Sequence, residues 1–122
     1  QVTSTNVALH AGLLEATRFI KEIGLENIEK RNLDLANSLK QGLSGINGVQ
    51  ILSPMTRENS SGLVSFNIEG WVPEEAVAKF WEGHQIVCRQ VAFPECIRAS
   101  MHFFNTEDEV NLLLNAVSEL AR

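Results

Sequence analysis

The stretch Gly62-Leu63-Val64-Ser65-Phe66-Asn67-Ile68 decides how this chain is layered. Val64, Phe66 and Ile68 alternate with Ser65 and Asn67, the period of two that puts successive side chains on opposite faces of a strand. Leu63 falls out of phase. One face is therefore buried and the other polar. A strand of this kind cannot bury its apolar row alone; it needs neighbouring strands and a second layer.

On the N-terminal side, Val49-Gln50-Ile51-Leu52 reads as a short strand ended by Ser53-Pro54, and Met55 to Ser61 reads as a polar loop. Earlier still, Asn6 is placed to cap a helix from about Val7 to Ile23, with Leu9, Leu13, Ala16 and Ile20 on one stripe. Gly24 is a natural stop. A second helix is expected from about Leu25 to Leu43, where Ile28, Leu35, Ala36, Leu39 and Leu43 recur at helical spacing before Gly45 and Gly48 break the pattern. On the C-terminal side, Pro73 with Glu74 and Glu75 opens a helix that Gly83 should end. Strands are expected at Ile86–Arg89 and Cys96–Phe103. Thr106 and Glu109 then form a capping box ahead of a last helix carrying Val110, Leu113, Leu114, Val117 and Leu120. The order ααββαββα argues an α+β two-layer sandwich, a small antiparallel or mixed sheet with helices on one face. The two long N-terminal helices should pack partly on that layer and partly on something else.

Composition narrows the function classes. The 122 residues fit one domain, and a 44% hydrophobic content supports a core. A net charge of −5 without a basic patch argues against nucleic acid as a partner. No run approaches the roughly 20 apolar residues of a membrane span. No basic-then-apolar signal peptide opens the chain, and two cysteines are too few for a disulfide scaffold; a reducing cytoplasm is the expectation. No CxxC or Cys/His cluster suggests a metal. The chain starts at Gln1 rather than Met, as a processed chain or a piece of a longer one would.

No nucleophile elbow, Walker loop or GxGxxG motif is present. His10, His84 and His102 are scattered and read as structural or solvated. Cys88 and Cys96 read more readily as small buried hydrophobes than as nucleophiles. The arginines carry more information. Arg89 ends one expected strand and Arg98 lies inside the next. A guanidinium in an apolar setting needs a partner. Two on neighbouring strands could fork onto a carboxylate, or each could pair internally with Glu95, Glu69 or another acid.

The tail Cys96-Ile97-Arg98-Ala99-Ser100-Met101-His102-Phe103-Phe104-Asn105-Thr106-Glu107-Asp108-Glu109-Val110 resembles the closing segment of class V aminotransferases, a group that includes cysteine desulfurases, selenocysteine lyases and isopenicillin-N-epimerase-like proteins. Thr3-Ser4-Thr5-Asn6 resembles the family's Gly-Thr-Pro-Asn turn. Ile23-Gly24-Leu25-Glu26-Asn27-Ile28 resembles its Ile-Gly-Leu-x-x-Ile junction, and Gly62 to Asn67 its Gly-x-Val-Ser-Phe strand. The resemblance spans nearly the whole chain in order and spacing.

It implies that residues 1–122 are the C-terminal small domain of a fold-type I pyridoxal 5'-phosphate enzyme, with Gln1–Ile23 as the helix linking it to the large cofactor-binding domain. It implies a substrate-carboxylate role for Arg98, a place on the substrate side for Arg89, and a contact from Ser4 to the cofactor phosphate across a homodimer. The family's cofactor lysine matches none of Lys21, Lys30, Lys40 or Lys79, so the Schiff base would lie outside this chain and the chain alone should be inactive. Desulfurases carry a mobile loop with a nucleophilic Cys between the two arginine-bearing strands. Here only eight residues, Gln90 to Ile97, separate Arg89 from Arg98, and Cys96 does not fall at the nucleophile's place. The resemblance thus implies an amino-acid enzyme whose reaction is open between transamination, C–S lysis or β-elimination, desulfuration and epimerisation. A stand-alone module binding a small carboxylate or a protein is the alternative.

Overall fold

The computed structural model describes residues 6–122. Its elements run α1 (Val7–Ile23), α2 (Leu25–Ser44), β1 (Val49–Ile51), a single 3₁₀ turn at Arg57–Asn59, β2 (Leu63–Ile68), α3 (Pro73–His84), β3 (Arg89–Ala92), β4 (Glu95–Ser100) and α4 (Glu107–Leu120). The four strands form one antiparallel sheet in the order β1-β2-β4-β3. This is the α+β sandwich that the alternation of β2 calls for.

Local chemistry starts and stops the helices where sequence placed most of them. Asn6 accepts from the Leu9 N–H at the head of α1. Gly24, at φ 90°, lies in the half of the Ramachandran map that glycine reaches at no cost, and so joins α1 to α2. At α4 the capping box closes in both directions: Thr106 Oγ1 accepts from the Glu109 N–H, and Glu109 accepts from the Thr106 N–H.

Three elements differ most from expectation: the end of α3, the third strand, which begins at Arg89 instead of ending there, and the fourth, which stops at Ser100 rather than Phe103. Gly83 does not end α3; the helix continues to His84 and stops at Gln85, which adopts the left-handed conformation at φ 56°. The Gln85 and Ile86 N–H groups return to Trp81 and Phe80 carbonyls, so the helix end is satisfied without a glycine there. The third strand also begins later than Ile86. Ile86 and Cys88 turn onto the helix-side core, and pairing starts only at Arg89.

The core sits between one face of the sheet and three helices. Val64, Phe66 and Ile68 of β2 and Ile97 and Ala99 of β4 meet Leu35, Ala36, Leu39 and Leu43 of α2, Ala76 and Phe80 of α3, and Val110, Leu113, Ala116 and Val117 of α4. Burying a side chain such as Phe66 or Leu39 contributes roughly 1.5–3 kcal/mol. Trp71 Nε1 donates to the Leu120 carbonyl at 2.9 Å and ties the turn before α3 to the end of α4. Arg31 of α2 grips Glu107 at the start of α4 with both terminal nitrogens and donates to the Asn105 carbonyl. The hydrogen bond from Arg31 to Glu107 holds the Glu107 carboxyl down at about 2.

Helix α1 stands apart. It buries no residue, and Leu9, Leu13 and Phe19 are all more than half exposed. The expected packing of the two N-terminal helices on the sheet layer is met by α2, whose Leu35, Ala36, Leu39 and Leu43 join the core, and not by α1.

Candidate functional site

The face of the sheet away from the helices carries the arginines. Strand geometry fixes this: Ile97 and Ala99 point into the core, so Cys96, Arg98 and Ser100 point the other way. The register then aligns side chains across the sheet. Ser65 stands opposite Arg98, and Arg98 stands opposite Arg89, so one row reads Ser65–Arg98–Arg89 across β2, β4 and β3. The eight residues between the arginines form a tight hairpin. Ala92 pairs with Glu95, and Phe93-Pro94, joined by a cis bond, makes the turn.

Two guanidinium groups directly opposite each other repel; like charges so placed destabilise a sheet. No acid relieves them. Neither Arg89 nor Arg98 is within ion-pair distance of a carboxylate among the described residues, where the six ion pairs all involve other cations. The internal pairing with Glu95 or Glu69 that sequence left open is absent. Arg98 is half-buried, and its Nε is buried without a hydrogen-bond partner. On the same face, one row along, Asn67 donates from Nδ2 to the Glu95 carbonyl at 3.1 Å, while its Oδ1 is buried and unpartnered.

The cysteines sit on opposite sides of the sheet. Cys96 is 1% exposed on the arginine face. Cys88 packs into the helix-side core, and burial pushes its thiol up to about 11, which leaves it protonated at neutral pH. A cleft of about 300 Å³ beside Cys88 is lined by Ala99, Val110 and Leu113, so it belongs to the core side and not to the arginine row. The histidines stay dispersed. His84 Nε2 lies 3.1 Å from Glu119 at the end of α3, and His102 stacks on Phe104 beyond the end of β4. Among the described residues no group of three or more His, Cys, Asp or Glu could hold a metal ion, and no helix is long and apolar enough to cross a membrane.

The chain's four lysines are Lys21, Lys30, Lys40 and Lys79. All four lie on helices. Lys30 pairs with Asp34 and Lys79 with Glu82. Lys21 is exposed on α1. Lys40 is 2% exposed and spends its ammonium on the Pro54 carbonyl at 2.7 Å and Ser60 Oγ at 2.6 Å. None is on the arginine face. Ser4 lies outside the described residues.

The aminotransferase class-V family pattern matches residues 3–113. The chain belongs to that family. A probable cysteine desulfurase of Mycobacterium leprae is 32% identical over 116 residues, covering 87% of this chain and 28% of that protein. The cystine C–S lyase C-DES, in complex with its reaction product cysteine persulfide, superposes with a TM-score of 0.83 at 28% identity over 98% of this chain and 31% of that one. A variant of C-DES with glycine covalently linked to its pyridoxal phosphate superposes equally well, at a TM-score of 0.83 and 28% identity with the same coverage. This class-V chain therefore spans less than a third of the length of the relatives it matches.

Sequence reasoning does not single out Asn67 on the arginine face or Lys40 in the helix layer. Asn67 was read only as the polar phase of β2, and nothing in the alternation marks its oxygen as unpartnered. Lys40 is read only as one of four lysines on expected helices. Its spacing carried a signal, because it lies four residues after Ala36 and three before Leu43 on the buried stripe.

Proposed function

We propose that this chain is the small domain of a pyridoxal-phosphate-dependent enzyme acting on an amino acid, and that Arg98, with Arg89 beside it, binds the substrate α-carboxylate. The observation that carries this reading is the Ser65–Arg98–Arg89 row, two opposed cations on an open face with no carboxylate of their own. An anion between them removes the repulsion, and the planar fork of arginine suits a carboxylate. The electron-sink chemistry is the cofactor's; this lobe orients the acid group.

The cofactor would be held through a lysine outside this chain, in keeping with four lysines that all lie on helices away from the arginine face. Ser4 would touch its phosphate across a homodimer, which rests on the Thr3–Asn6 resemblance alone. Gln1–Ile23 would link to the larger domain, and the apolar side chains left exposed along α1 suit such a role. The same side chains should make the 122-residue chain self-associate. Without a cofactor lysine it should be inactive alone.

Within this reading, lysis of a C–S bond is favoured over desulfuration through a protein thiol. The relatives point to sulfur amino acids. Both cysteines are buried, Cys88 is held as the thiol, and the two-residue turn at Phe93-Pro94 leaves no loop to carry a nucleophile.

The test uses a longer protein containing this chain. Its visible spectrum should show a Schiff-base band that shifts on adding L-cysteine; no band after purification with pyridoxal phosphate would sink the cofactor assignment. Arg98→Ala should raise KM for the amino acid by roughly 30-fold or more, the cost of leaving a buried anion without its partner. An unchanged KM would remove Arg98 from the carboxylate site.

A further inference from the structure

Arg98 sits on the central strand β4 between two different neighbours. On the β3 side it faces Arg89, directly opposite. On the β2 side it has Ser65 opposite and Asn67 one row along the same face. Diagonal pairs of this kind lie about 7–8 Å apart between Cα atoms, within reach of a long side chain. Across that diagonal the structure holds a buried donor without an acceptor, Arg98 Nε, and a buried acceptor without a donor, Asn67 Oδ1. Unpaired buried groups are uncommon, and each one left so costs free energy. The two are chemically complementary.

We infer that Asn67 is a positioning residue for Arg98, its Oδ1 accepting the Arg98 Nε–H when an anion occupies the Arg98–Arg89 row. This rests on the carboxylate reading above. Arginine presents donors along two edges. An anion drawn toward β3 by both cations takes the terminal Nη groups, and Asn67 on the β2 side is left to take Nε. With both edges engaged the guanidinium is fixed in one plane, which is what a bidentate site requires. Without the anion, repulsion from Arg89 works against that placement. The Asn67 amide is itself held by its bond to the Glu95 carbonyl at the start of β4, so its oxygen has a defined direction.

The experiment follows the arginine Nε–Hε resonances of the 122-residue chain by ¹⁵N–¹H NMR, with sodium acetate as the carboxylate probe. In the wild type, the Arg98 Hε signal should move downfield and its exchange with water slow about 10-fold as acetate is added. Asn67→Leu should abolish both changes. Asn67→Asp removes the bond to Glu95 but keeps an acceptor, so its Arg98 Hε should be downfield before acetate is added. That result separates the acceptor role from mere bracing of β4, and it stands even if Asn67→Leu fails to fold. If Asn67→Leu responds to acetate as the wild type does, or if Asn67→Asp leaves Hε unmoved, Asn67 is not the acceptor, while the arginine site survives. If no Arg98 or Arg89 resonance of the wild type responds to acetate, the carboxylate reading falls and takes this inference with it.

Discussion

The two faces of the sheet are made from alternate residues of the same strands, yet they are finished to different standards. On the helix side, Phe66, Ile68, Ile97 and Ala99 are at most 2% exposed and meet side chains from three helices. Even Lys40, the one buried cation among the described residues, has two oxygen partners. Buried polar atoms without a partner are not confined to one side, since Asn32 Oδ1 on α2 and His102 Nδ1 beyond β4 join Arg98 Nε and Asn67 Oδ1, but the open face adds two guanidinium groups that oppose each other with no carboxylate in ion-pair distance among the described residues. A fold under selection for stability alone would close such gaps. Local rules fail preferentially at functional sites. The contrast separates residues that hold the domain together from residues that wait for something else.

The largest expected effect tests the helix side. Phe66→Ala removes a fully buried ring between β2 and the helices and should cost about 3–5 kcal/mol of unfolding free energy, measured by denaturant titration of the 122-residue chain. A loss below about 1 kcal/mol would mean that this face is less tightly filled than its burial indicates, and the contrast between faces would weaken.

The next effect is read in pH. Burial lowers the Lys40 pKa from its ordinary 10.5, because desolvation penalises the ammonium. Below 10.5 the unfolded chain holds that proton more firmly than the folded one, so the folded state gains stability as pH rises toward 10.5 and loses it as pH falls through the depressed folded value. Lys40→Met keeps the volume and removes the charge. The variant should be as stable as the wild type or more so at neutral pH, since replacing a buried charge by a packed apolar group is often neutral or favourable. Its advantage should shrink as pH approaches 10.5. An advantage independent of pH would show that Lys40 carries the same charge in both states.

Much of this architecture was legible because it depends on local chemistry. The alternation of β2, the Asn6 cap, the Thr106–Glu109 capping box and the Gly24 junction each act within a few residues, and each stands where the sequence puts it. The misplaced boundaries have a different cause. Gly83 was read as a helix stop, but a glycine is tolerated in a last turn when the residue beyond can take the left-handed conformation, as Gln85 does. Ile86–Cys88 looked like a strand because apolar residues cluster there, yet they serve the core rather than the ladder. The arginine pair could be suspected from the sequence, but its alignment could not. Whether Arg89 faces Arg98 depends on the hairpin register, which the Phe93-Pro94 turn sets, and a slip of one residue would send one of them to the opposite face.

That register gives the smallest effect and the sharpest one for the contrast. If the open face is strained by opposed cations, removing one of them should stabilise the isolated chain. Arg98→Leu keeps an apolar stem over β4 and deletes the charge, relieving a like-charge cross-strand pair worth about 0.2–1 kcal/mol. The expected outcome in dilute chloride is a Tm higher than that of the wild type by roughly 2 °C. Raising the salt should close the gap, because screening over a few ångströms weakens the repulsion in the wild type and leaves the variant unchanged. Acetate at constant ionic strength should close it further, since a bound anion stabilises only the chain that binds it. A variant less stable than the wild type under all these conditions would mean that the Arg98 guanidinium already contributes to the fold, and the two faces would then differ in chemistry but not in purpose.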